Sequence, residues 1–146
     1  MEYDQLKLEN QLCFPVYGAS RLITREYQPF LDKLKITYPQ YLVLLVLWEH
    51  DNQPVNDIAK KLILNTNTIT PLLKRMEQQG LIIRKRSDVD ERKVLVQLTE
   101  AGVNLKAEAS RIPEELARRL SDSDLKIEEL IRLKQSLNTL ISFLSK

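Results

Sequence analysis

Apolar residues recur at helical spacing along most of this chain, with one interruption near residue 90. The first periodic stretch runs from roughly Gln11 to Leu34 and predicts a helix. Thr37-Tyr38-Pro39-Gln40 then has the form of a capping box, with a proline tolerated in the first turn. The body that follows, YLVLLVLWEH, is apolar nearly all round, as in a central buried helix. After a break at DNQP, Val55, Ile58, Ala59 and Leu62 fall at i, i+3, i+4, i+7. Ile69, Leu72, Leu73 and Met76 resume that pattern, and Gly80 supplies a stop. From Leu81 to Arg86 and from Lys93 to Leu98 the period shortens to two, which predicts a hairpin around SDVDE. Thr99 opens a long fifth helix, which Pro113 kinks or interrupts, and Ser121 or Ser123 caps the last helix.

That last helix carries Leu130, Leu133, Leu137, Leu140 and Leu144 at 3-4-3-4 spacing, widened by Ile127, Ile131 and Ile141. Such a seam needs a partner helix. Apolar helices at both ends of a chain of 146 residues point to a homodimer. The expected fold is mainly α with a small β-hairpin wing, in one domain of residues 1–146. A winged helix-turn-helix over about 39–99 would be flanked by N- and C-terminal dimerisation helices at about 5–36 and 100–146.

Composition changes this picture little: 43% hydrophobic, 29% charged and only three glycines, which favours helix. Charge distribution changes it more. Net charge is +2, but the segment 66–93 alone carries +3, with seven basic and four acidic residues. The excess positive charge therefore lies in one middle segment, as a polyanion partner would require. No apolar run reaches the ~20 residues of a membrane span. The acidic, polar N-terminus lacks a signal-peptide core. One cysteine allows no internal disulfide, and the expected location is the cytoplasm.

The third and fourth helices have the spacing of a helix-turn-helix. Ala59 is small where they would cross, although Ile63-Leu64 puts no small residue in the turn. The outward face of the fourth helix presents Asn67, Thr68, Thr70, Lys74 and Arg75. Short polar side chains can reach base edges, and the two cations can pair with phosphates. The following ribbon, RKRSDVDERK, adds Arg84, Arg86, Arg92 and Lys93. Helix-turn-helix plus basic hairpin is the winged form of the motif, and Arg92 at its tip could enter a narrow minor groove. The stretch LLKRMEQQGLI (72–82), with Asp90-x-Arg92 and Leu98-Thr99, resembles the MarR family of regulators. That resemblance implies that Asp90 braces the wing and Arg92 enters the minor groove. It also implies an obligate homodimer on a pseudo-palindromic double-stranded DNA operator, and repression as the default.

Cys13 remains. At ~100° per residue, Tyr17, Ser20 and Tyr27 fall within about 40° of it on a helix. Yet Cys13 and Tyr27 would lie about 21 Å apart at ~1.5 Å per residue, so they could meet only across two antiparallel first helices. Tyr38 is a further candidate for the same pocket. Phenol donors stabilise a thiolate and raise the nucleophilic share of a thiol. Pro15 either sits in the first helical turn or kinks a helix that begins near Leu6. QLCFPVY, Tyr27 and Thr37-Tyr38-Pro39-Gln40 resemble the organic-hydroperoxide-sensing branch of the MarR family. There an N-terminal cysteine is the peroxide-reactive residue, and tyrosines of the partner subunit hold its thiolate. The resemblance maps these roles onto Cys13, Tyr27 and Tyr38, with Tyr17 nearby, and names an organic hydroperoxide as inducer. With no second cysteine, the sulfenic acid would condense with a low-molecular-weight thiol or the backbone N of Phe14, or oxidise further.

Three other readings compete. A MarR-type regulator could respond to a small aromatic ligand, with Cys13 only structural. A one-cysteine peroxidase would lack a positioned arginine beside Cys13 and leave the wing without a role. A pure dimerisation module leaves the basic wing unexplained. His50 is a lone histidine expected at the surface and Trp48 is expected in the core. No catalytic residue, metal set or cofactor is expected.

Overall fold

The computed structural model describes residues 2–146. It divides into two compact units, Met1–Ser110 and Arg111–Lys146. In the first, two short 3-10 turns (Asp4–Leu6 and Leu8–Asn10) precede α1 (Cys13–Leu34) and α2 (Tyr38–Glu49). Next come β1 (Gln53–Pro54), α3 (Val55–Leu62), α4 (Thr66–Gln78), β2 (Ile82–Arg86), β3 (Val94–Leu98) and α5 (Glu100–Ala109). The second unit contains α6 (Ile112–Ser121) and α7 (Ile127–Leu144).

Local chemistry sets these boundaries. The Thr37–Gln40 capping box is complete: Gln40 Oε1 accepts the Thr37 amide at 3.0 Å, and Thr37 Oγ1 accepts the Gln40 amide at 3.4 Å. Asn65 caps α4 by accepting the Thr68 amide at 3.0 Å, and Thr99 caps α5 through Gly102. Each such cap contributes ~1 kcal/mol. Helix α1 starts at Cys13, so Pro15 lies in its first turn, where the missing N–H costs little. Gly80, at φ 75°, turns the chain out of α4 into β2. The α3–α4 turn does the same work with Ile63 at φ 58°, a costly conformation for a β-branched residue.

Strands β2 and β3 pair antiparallel, Ile82 opposite Leu98 through Arg86 opposite Val94. Strand β1 joins the free side of β3, giving the order β1-β3-β2. Nothing in the sequence period marked β1, because it is two residues long and ends in proline. The core lies among these elements. Val43, Leu44, Leu47, Ile58, Ile69, Leu73, Met76, Ile82 and Val96 are at most 1% exposed, together with Leu31 from α1. At Gly102 α5 crosses the start of β2 so closely that a Cβ would stand 2.3 Å from the Leu81 carbonyl oxygen.

The last helix begins differently from the sequence expectation. Lys126, not Ser121 or Ser123, occupies the cap position of α7, and its amide donates to Glu129 at 2.7 Å. Ser121 and Ser123 instead donate back to the carbonyls of Arg118 and Leu120, satisfying acceptors at the end of α6. Pro113 interrupts rather than kinks the preceding helix, standing in the first turn of α6. Among the described residues, α7 buries none of its side chains. No helix among them is long and apolar enough to cross a membrane.

Candidate DNA interface and thiol site

Helix α4 buries Ile69, Leu72, Leu73 and Met76, which leaves Asn67, Thr68, Thr70, Lys74 and Arg75 exposed on the opposite face. Thr68 is partly committed: its hydroxyl donates to Asn65 Oδ1 at 3.1 Å. Pro71 sits inside α4 beyond its first turn, where its missing N–H removes one helical hydrogen bond, the one that the Asn67 carbonyl would accept. The positive dipole end of α4 thus points with its short polar side chains toward solvent.

The wing is braced by its own polar groups. The Ser87 amide donates to the Lys93 carbonyl at 2.9 Å, and Ser87 Oγ accepts the amides of Val89 and Asp90. Asp90 Oδ1 accepts the Arg92 amide at 3.1 Å and lies 3.5 Å from Arg92 Nε. The Arg92 side chain is nevertheless 94% exposed, so the tip presents its cation to solvent while pairing with Asp90. Arg86 donates to the Glu91 carbonyl at 3.1 Å. Arg84 is used differently. Its amide donates to Glu77 Oε2 at 2.9 Å and its guanidinium to Glu77 Oε1 at 3.2 Å, which ties β2 to α4. Those two bonds hold the Glu77 carboxyl below its ordinary value, the side-chain bond contributing most. Sequence reasoning missed Glu77, although its place seven residues before Arg84 on a face next to the hairpin could have shown it. A cleft of about 330 Å³ separates helix-turn-helix from wing, lined by Thr66, Thr70, Arg84, Arg92 and Lys93 among others.

Cys13 is exposed, as are Phe14, Val16 and Tyr17 on the same first turns. The Tyr17 hydroxyl accepts from Arg21 at 3.0 Å, and that guanidinium lies 5.5 Å from the Tyr17 ring centre. Tyr27 stands fourteen residues along α1, about 21 Å away at ~1.5 Å per residue. The fold brings Tyr27 to Tyr38, with ring centres 5.0 Å apart. Tyr41 completes the cluster at 5.7 Å from Tyr27 and 6.2 Å from Tyr38, and it touches Trp48 at 6.4 Å. Sequence reasoning gave Tyr41 no role; its i+3 spacing from Tyr38 on one helix face was the available signal. Burial and the neighbouring Tyr38 and Tyr41 phenols push Tyr27 up to about 12. Burial also raises Tyr38 and Tyr41. All three are therefore neutral O–H donors at any physiological pH. Among the described residues no cluster of His, Cys, Asp and Glu could hold a metal ion.

A family model described as transcriptional regulator SarA/Rot matches residues 25–109. The organic hydroperoxide resistance transcriptional regulator of Bacillus subtilis (strain 168) is 53% identical over 143 residues, 98% of this chain and 95% of its own. The chain belongs to the MarR family of winged-helix transcriptional regulators. Within that family the HTH-type transcriptional regulator MgrA of Staphylococcus aureus is 42% identical over 131 residues, 89% of each chain. Reduced AbfR bound to DNA superimposes with a TM-score of 0.78 at 36% identity over all of both chains. MarR-family membership makes this chain a DNA-binding transcriptional regulator rather than a peroxidase.

Proposed function

We propose that this protein is a cytoplasmic homodimeric repressor that leaves its operator when an organic hydroperoxide oxidises Cys13. The observation that carries the reading is the preassembled Tyr27–Tyr38 pair, set a helix length from an exposed Cys13 that it cannot reach within one chain. Two antiparallel α1 helices would bring the thiol of one subunit to the phenols of the other. The apolar side chains left exposed at both ends, Leu12 just before α1, Phe14 and Val16 in it, and Ile131, Leu140 and Leu144 in α7, supply surface for such a contact.

In the reduced dimer, neutral Tyr27 and Tyr38, with Tyr17 alongside, donate to the Cys13 thiolate. The thiolate attacks the outer peroxide oxygen. An S–O bond forms as the O–O bond breaks, and the leaving alkoxide takes up a proton to become the alcohol. A low-molecular-weight thiol then condenses with the sulfenic acid, expelling water and leaving a mixed disulfide. The added bulk separates the tyrosine pair and shifts the subunits. Because two recognition helices must enter major grooves about 34 Å apart, a shift of a few ångströms releases the DNA. Asn67, Thr68 and Thr70 read bases on this account. Lys74, Arg75, Arg86 and Lys93 hold phosphates, and Arg84 orients the wing. Asp90 fixes the tip from which Arg92 enters the minor groove.

The test is operator binding by fluorescence anisotropy, titrated with cumene hydroperoxide, for native protein and Cys13→Ser. Release of the native protein alone supports the reading. Equal release of both would move the trigger to another group, and release of neither would favour a small-molecule inducer.

A further inference from the structure

Two glutamines lie where three helices meet. Gln40 is a buried polar side chain, 4% exposed. Its Oε1 closes the cap of α2, and its Nε2 donates to Gln79 Oε1 at 2.8 Å. Gln79 is the residue that ends the recognition helix α4. Its own Nε2 donates to the Lys35 carbonyl at 3.1 Å, in the left-handed turn that closes α1. One chain of amide hydrogen bonds thus joins the ends of α1 and α4 to the start of α2. Gln40 is buried, so its bond to Gln79 resists parting, whereas Gln79 itself is exposed and its bond to Lys35 is open to water.

Tyr38 lies inside the same junction, as the first residue of α2 between the Thr37 cap and Gln40. Pro39 stiffens that turn by fixing its own φ. A displacement of Tyr38 away from Tyr27 that includes its backbone moves the first turn of α2 and carries Gln40 with it. Gln79 follows through the amide bond. Helix α4 is 13 residues long, about 20 Å at ~1.5 Å per residue, and its far end carries Asn67, Thr68 and Thr70. A small movement at Gln79 therefore re-aims the end that reads DNA.

We propose that Gln40 and Gln79 are positioning residues for DNA reading, transmitting the position of Tyr38 to the recognition helix. Only the trigger that moves Tyr38 rests on the proposed Cys13 switch.

The test is a double-mutant cycle on operator affinity, using reduced full-length protein: native, Tyr38→Leu, Gln79→Leu and the pair. Tyr38→Leu should change Kd at least about fivefold in the native background and less than about twofold beside Gln79→Leu, as expected for coupled neighbours. Gln79→Glu keeps the acceptor for Gln40 Nε2 and should restore the coupling, which a merely structural glutamine would not do. Gln40→Glu keeps the acceptor that caps α2 but replaces the Nε2 donor with a carboxylate oxygen facing Gln79 Oε1, and should uncouple as Gln79→Leu does, so a poorly folding Gln79→Leu leaves the question answerable. Equal fold-changes in both backgrounds would overturn the proposal, as would an unchanged Kd for Tyr38→Leu. Adding cumene hydroperoxide to native protein is a separate arm. No release there, with the cycle intact, sinks the Cys13 switch and leaves the glutamine link standing.

Discussion

The two halves of α1 have the same helical period and opposite fates. Its C-terminal half buries Leu31 and Leu34 and packs Tyr27 against α2, while its N-terminal half leaves Phe14, Val16, Tyr17 and Leu22 exposed. One half is finished by this chain, and the other presents apolar area that only another surface can cover. The proposed sensing thiol belongs to the unfinished half, whereas of its proposed tyrosine partners Tyr27 belongs to the finished half and Tyr38 to α2 packed against it. Under the proposed function, a switch divided in this way would be assembled only when two chains meet, and oxidation would act on the contact that sets the spacing of the recognition helices.

The largest effect expected from breaking this contrast is at Leu31. Leu31→Ala should cost about 2–5 kcal/mol of stability at every protein concentration. Phe14→Ala should instead make the melting temperature fall more steeply with dilution, because on the proposed assembly its cost resides in the dimer. Thermal melts over a hundredfold concentration range separate the two, and identical concentration dependence would dissolve the distinction. Next is Gly102→Ala, which forces a methyl group into the Leu81 carbonyl and should cost about 1–3 kcal/mol in denaturant unfolding. Arg92→Ala should leave stability unchanged, weaken operator binding about tenfold (~1.4 kcal/mol), and lower the salt slope by about 1.

The smallest effect is a matter of pH. Tyr27 should be the last tyrosine to ionise, with an ultraviolet midpoint near 12. Its folded value is raised, so its stabilisation is complete below the ordinary 10.0 and fades as pH climbs from there toward 12. Glu77 works in the opposite direction. Its folded value is lowered, so its contribution is present above the ordinary 4.5 and is lost on acidification below it. Tyr27→Phe should flatten the alkaline limb alone, and Glu77→Gln the acid limb alone.

Much of this was legible in the residues. The capping box at Thr37, the helix-turn-helix faces and the two strands of the hairpin all follow from local signals that tertiary packing did not override. The departures share a cause. Strand β1 forms because β3 offers it an edge, the serines before α7 turn back to α6, and Arg84 finds Glu77 across the wing base. Each depends on a neighbour distant in sequence or on competition between nearby acceptors, and neither leaves a period to read. The same holds for the Tyr27–Tyr38–Tyr41 cluster. The sequence put Tyr27 and Tyr38 in one pocket, and the turn at Lys35 brings them together, but it gave no role to Tyr41, which the packing of α2 on α1 adds to the pair.

The most direct measurement uses heterodimers. Subunits carrying Cys13→Ser would be paired with subunits carrying Tyr27→Phe and Tyr38→Phe, and oxidation of the remaining thiol by cumene hydroperoxide followed by mass spectrometry. Assembly of the site across subunits predicts that this thiol, facing the intact tyrosines of its partner, reacts at the native rate. Reaction at the slower rate of the Tyr27→Phe, Tyr38→Phe homodimer would contradict the account.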